Sequence, residues 1–123
     1  MADYAIFIGW GEVVAGREKR ALDVFNEVMQ YYSRLQQEGI VESVEPCLLE
    51  PHGGELYGFI LLKGDREKLS RLRVDPEFDR MTARASLCVR SIGVVGALTG
   101  NAVATEMAMF SEEIARLEPA GVR

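Results

Sequence analysis

The segment from Leu56 to Lys63, Leu-Tyr-Gly-Phe-Ile-Leu-Leu-Lys, is apolar on both of its faces. Side chains alternate across a strand, so one face carries Leu56, Gly58, Ile60 and Leu62 and the other Tyr57, Phe59 and Leu61. Residues 4 to 10 repeat the pattern, with Ile6, Ile8 and Trp10 against Ala5, Phe7 and Gly9. A later run sets Ile92 and Val94 against Val95 and Ala97. One layer of helices covers one side of such a sheet, and the other would stay wet as a contiguous apolar patch of the kind that marks an interaction site. Either a second copy of the sheet or the chain's own C-terminal helix must cover it, and the twofold dimer is the expectation, as the commonest oligomer arrangement.

Around these strands the remaining elements follow from periodicity and punctuation. From Arg17 to Glu38 the residues Ala21, Leu22, Phe25, Val28, Met29, Tyr32 and Leu35 step by three and four, which predicts a helix with one apolar face and Gly39 as its left-handed stop. Residues 40 to 49 read as a second strand, at a sheet edge because Pro46 has no N–H for a ladder. Pro51-His52-Gly53-Gly54 then turns the chain into the third strand, about 56 to 63. Asp65 caps a second helical segment, which Asp75-Pro76-Glu77 breaks and recaps. A fourth strand runs from about Val89 to Leu98. Val103, Met107, Phe110, Ile114 and Leu117 give the tail, about 102 to 117, the narrow seam of a helix, after which Pro119, Ala120 and Gly121 should fray. The order β α β β α β α resembles the ferredoxin-like βαββαβ arrangement, an α+β class with an all-antiparallel sheet, here with an added C-terminal helix. No repeat or linker divides the 123 residues, so one domain is expected over 1–123.

Charge and cysteine usage narrow the function classes. The net charge of −5 argues against a general nucleic-acid binder, which needs a surplus of Lys and Arg. That charge is uneven: Lys63 to Arg90 holds eight basic and five acidic residues, giving this segment +3 and the remainder −8. Met1-Ala2-Asp3-Tyr4 lacks the basic start and apolar run of a signal peptide, and no apolar stretch approaches the ~18 residues of a membrane span. A cytoplasmic protein is expected. Cys47 and Cys88 have no Cys-x-x-Cys spacing and sit in apolar segments, so two buried free thiols are expected rather than a disulfide or a metal site.

Asp75-Pro76-Glu77-Phe78 before the last strand, with the element order and the two-sided strands, resembles the dimeric α/β-barrel group. Its members include antibiotic-biosynthesis-monooxygenase-like, EthD-like and chlorite-dismutase-like haem proteins. The resemblance covers about residues 4 to 98 and implies two facing sheets around a small-molecule pocket, in some members with oxidation or isomerisation chemistry. A haem-binding member needs an axial imidazole, and the one histidine, His52, lies in a predicted turn, so no haem or other cofactor is expected.

Individual residues supply candidates. His52 titrates nearest neutrality and is the candidate general acid or base, against the simpler reading of an exposed turn residue. Trp10 and Tyr57 can stack on a flat organic ligand and orient it through N–H and O–H, or simply pack. Arg90 can grip a carboxylate, or pair with Glu12 or Glu45. Gly9-Trp10-Gly11 with Gly16 is no dinucleotide fingerprint, because Val14 stands where the third glycine belongs. Gly58, Gly93 and Gly96 either allow close packing or leave room for a ligand.

Three functions remain in play. The first is a dimeric barrel that holds a small, partly apolar organic molecule. The second is a cofactor-independent oxygenase or isomerase in the same cavity. The third is an assembly protein whose apolar surfaces bind only copies of itself or a partner. No substrate or reaction can be named from the sequence, since one fold hosts many activities.

Overall fold

A computed structural model of the protein describes residues 3–118; the fraying expected at Pro119, Ala120 and Gly121 lies outside them. The chain runs β1 (Tyr4–Trp10), α1 (Glu18–Gln37), β2 (Ser43–Leu48), β3 (Gly58–Gly64), α2 (Arg66–Arg73), α3 (Pro76–Ser86), β4 (Gly93–Leu98) and α4 (Asn101–Leu117). The strands form one sheet in the order β2-β3-β1-β4, with every neighbouring pair antiparallel. This is the expected α+β ferredoxin-like arrangement, and β2, which carries Pro46, lies at an edge as its missing N–H requires.

Local chemistry explains where the helices start and stop. Gly39 adopts φ +77, the Gly39 N–H donates to the Gln36 carbonyl at 3.1 Å and the Ile40 N–H to the Leu35 carbonyl at 2.9 Å. These two bonds satisfy the last free carbonyls of α1 in a Schellman turn. Asp65 accepts from the Lys68 N–H at 3.0 Å and Asp75 from the Glu77 N–H at 2.9 Å, so the stepped segment is two capped helices, α2 and α3.

Three strand limits differ from those expected. β2 begins at Ser43 rather than residue 40, because the Ile40 and Val41 amides are engaged by Leu35 and the Val41 side chain enters the core at 1% exposure. Leu56 and Tyr57 precede β3, although the Tyr57 N–H still reaches the Trp10 carbonyl at 2.8 Å. β4 begins at Gly93 rather than Val89, because Ser91 takes a left-handed φ of 57 that breaks the strand. Val89 is left in an isolated bridge with Val13.

The register sorts the side chains by face. Ile6, Ile8 and Trp10 stand beside Leu62, Ile60 and Gly58, and with Val94 they meet the helices. Val28, Tyr32 and Leu35 of α1, Leu69 and Leu72 of α2 and Phe78 of α3 close over them. Each fully buried aliphatic side chain here contributes roughly 1.5–3 kcal/mol of transfer free energy. Arg34–Glu77 at 2.7 Å and Arg84–Glu27 at 2.6 Å tie α1 to α3 across the surface.

The opposite sheet face carries Ala5, Phe7 and Gly9, Phe59 and Leu61, and Val95 and Ala97. Phe7 and Phe59 stack there with ring centroids 5.1 Å apart, and Val95 is 54% exposed. The C-terminal helix does not cover this face: no residue of α4 is buried, and its large apolar side chains are 44% to 81% exposed. Cys88 is buried as expected, whereas Cys47 is only half-buried because it points to this uncovered face on an edge strand. Among the described residues no helix is long and apolar enough to cross a membrane.

Candidate functional site

Between the helices and the sheet lies a cavity of about 380 Å³. Its floor is Ile8, Trp10 and Ile60; Phe25, Val28 and Tyr32 of α1 form one wall, and Met81, Thr82 and Ala85 of α3 another. The short Thr82 and Ala85 of α3 line this space opposite the larger Phe25 and Tyr32 of α1, and short side chains fill less of it than long ones would. Leu22 and Leu48, 61% and 70% exposed, form part of the mouth.

Trp10 sits edge-on to Phe25, with centroids 6.1 Å apart. Its indole lies flat over β3 because residue 58 is glycine: a Cβ there would come within 2.7 Å of Trp10 Cζ2 and 3.0 Å of the Cys47 carbonyl. Gly58 is thus used for close packing, and the room for a ligand lies elsewhere.

Tyr32 is 2% exposed, and burial pushes its phenol well above the ordinary tyrosine range, followed by a smaller effect of Tyr31. Tyr31, on the same helix, is pushed up to about 12 by burial first and then by Asp75 and Glu77. Thr82 Oγ1 donates to the Phe78 carbonyl at 3.1 Å, and Cys88 brings a thiol that is 2% exposed. Glu18, whose carboxylate accepts from the Gly16 N–H at 3.3 Å, also borders the space.

The residues singled out in the sequence separate in space. Trp10 lines the cavity; His52, Tyr57 and Arg90 do not. His52 and Tyr57 share a smaller recess of about 290 Å³ in the 49–57 loop. There His52 Nδ1 accepts from the Gly54 N–H at 3.2 Å and Nε2 meets the Leu56 carbonyl at 2.9 Å, which fixes the tautomer as Nε2–H. The imidazole fastens the loop to itself. Arg90 lies before β4 rather than at its start, and its Nε is 3.5 Å from Glu12 Oε1 in an exposed ion pair. Glu45, the alternative partner, pairs with Lys63 at 2.9 Å. Tyr32, Phe25, Thr82 and Cys88 escaped the sequence reading as site residues, since an apolar stripe looks the same whether it meets packed atoms or a void. Among the described residues no group of three or more His, Cys, Asp or Glu side chains is placed to hold a metal ion.

No protein-family model matches the sequence, and no curated protein matches it either. Solved structures do resemble the fold. A dimeric protein of unknown function and ferredoxin-like fold from Bacteroides fragilis NCTC 9343 superposes with a TM-score of 0.56 at 12% identity, covering 77% of this chain and 95% of its own. A dimeric ferredoxin-like protein of unknown function from Jannaschia sp. CCS1 gives 0.57 at 18% identity, over 76% of this chain and 97% of its own. SnoaB, a cofactor-independent oxygenase from Streptomyces nogalater, gives 0.55 at 15% identity, over 80% and 95%. At these identities the likeness establishes the ferredoxin-like fold.

Proposed function

We propose that this chain is a single-domain, cytoplasmic homodimer that binds a small, partly apolar organic molecule in the cavity between α1, α3 and the sheet of each protomer. The cavity carries the proposal: about 380 Å³ of apolar space, floored by rigid strands, falls at the small end of ligand pockets. Its place differs from the one the barrel resemblance implied, a space between two facing sheets. Here the pocket opens on the helix side, and the uncovered sheet face is left for a second copy. Dimeric relatives of the same fold, and an exposed face whose apolar side chains a twofold contact would cover, support that assembly.

Likeness to SnoaB supports a second reading, a cofactor-independent oxygenase or isomerase in the same cavity. The groups that can give or take a proton there are Tyr32, Cys88 and Glu18, not His52. The third reading, a purely structural assembly protein, would be favoured by a filled interface between copies and by no bound ligand. Native mass spectrometry of the purified protein tests the proposal. The expected spectrum is a dimer carrying extra mass released as small organic molecules, up to one per protomer. A monomer refutes the assembly. A dimer that takes up no small hydrocarbon such as indane, even when it is added, refutes the pocket.

A further inference from the structure

Tyr32 poses a question that packing does not answer. It is 2% exposed, lines the cavity, and touches Tyr31 and Phe78 through its ring, with centroids 5.6 Å and 6.4 Å away. Among the described residues its hydroxyl makes no hydrogen bond. The oxygen is nevertheless not sealed in, because among the described residues no fully enclosed side-chain nitrogen or oxygen lacks a partner. It keeps contact with open space, and the cavity is the space its side chain borders. The Trp10 indole N–H, on the floor, likewise has no acceptor among the described residues, while Thr82 already gives its proton to the Phe78 carbonyl. Both donors are therefore unanswered, and among the described residues no Lys, Arg or His lines the cavity, while the single carboxylate, Glu18, would repel an anion.

We infer that the cavity takes an uncharged, largely apolar molecule with a hydrogen-bond acceptor oxygen, a carbonyl or ether, that receives the Tyr32 O–H. The inference rests on the cavity being a binding site, and its test separates the two. Trp10, the chain's one tryptophan, reports occupancy by its fluorescence. The intact protein and its Tyr32→Phe variant are titrated with indane, 1-indanone and indane-1-carboxylate. The expected result is that Tyr32→Phe weakens 1-indanone about ten-fold relative to indane, the usual size of a lost hydrogen bond to a ligand, while the carboxylate binds the unmodified protein least. An unchanged ratio of indanone to indane overturns the role of Tyr32 and leaves the pocket standing. A carboxylate that binds the unmodified protein as tightly as the ketone overturns the neutral-ligand inference, and this arm needs no variant to fold. If neither indane nor 1-indanone binds, the pocket itself is refuted and the inference with it.

Discussion

If the chain pairs through its uncovered sheet face as proposed, replacing Val95 by glutamate should take the dimer apart while leaving the protomer folded. Val95 lies on the uncovered sheet face opposite Phe7, beside the Phe7–Phe59 stack, and is 54% exposed in the single chain. In the free protomer the substitution costs at most about 1 kcal/mol, the span of strand propensities at a half-exposed site. In a dimer that packs this face the same glutamate loses about 1 kcal/mol of apolar burial. It also leaves a carboxylate without a partner in a desolvated contact, at about 2 kcal/mol or more. A twofold axis presents the change twice, so the total approaches about 6 kcal/mol, or roughly four powers of ten in Kd. Size-exclusion chromatography with light scattering over a concentration series reads this directly, with Leu87→Glu as the control, since Leu87 is 63% exposed at the end of α3 on the helix side. A Val95→Glu variant that dimerises like the unmodified protein, or a Leu87→Glu variant that dissociates equally, would show that the outer sheet face is not the contact.

Gly58→Ala should push the Trp10 ring off β3, shift its emission and destabilise the fold by about 1–3 kcal/mol, the usual cost of overpacking; an unchanged spectrum would contradict the close approach. His52→Ala removes a loop-internal pair of hydrogen bonds and should lower stability by about 1 kcal/mol or less, with indane binding unchanged within about two-fold in the same fluorescence titration. A larger loss of binding would return His52 to the site. Stability should also fall as the pH rises from 10.0 toward about 12, because Tyr31 holds its proton over that window when folded and releases it when unfolded. Thermal melts of Tyr31→Phe should then show a shallower alkaline decline than the unmodified protein.

How much of this was legible in the sequence depends on how local the cause is. The Gly39 stop of α1, the Asp65 and Asp75 caps and the edge position of Pro46 each rest on a few neighbouring residues and appear where the pattern put them. The apolar outer face followed from alternation alone. The start of β4 was misplaced because the break is a backbone angle at Ser91, a residue type with no strong preference for it. The cavity was hidden for a different reason. It arises where Thr82 and Ala85 of one helix fail to fill the space facing Phe25 and Tyr32 of another, and the sequence separation of these residues says nothing of their distance. Tyr32 accordingly read as one more residue of an apolar stripe, though its hydroxyl is what distinguishes it. Arg90 and His52 drew notice through their chemistry, and the structure engages them in an ion pair and a loop.

The proposed ligand site lies on the helix side of the sheet within each protomer. Methyl NMR of the selectively labelled protein, titrated with indane, locates the bound molecule. Shifts are expected at Ile8, Ile60 and Met81, which line the cavity, with Val95 and Leu61 on the outer face unmoved. Shifts at Val95 and Leu61 with the cavity methyls silent would place the ligand between the sheets and contradict the proposed site.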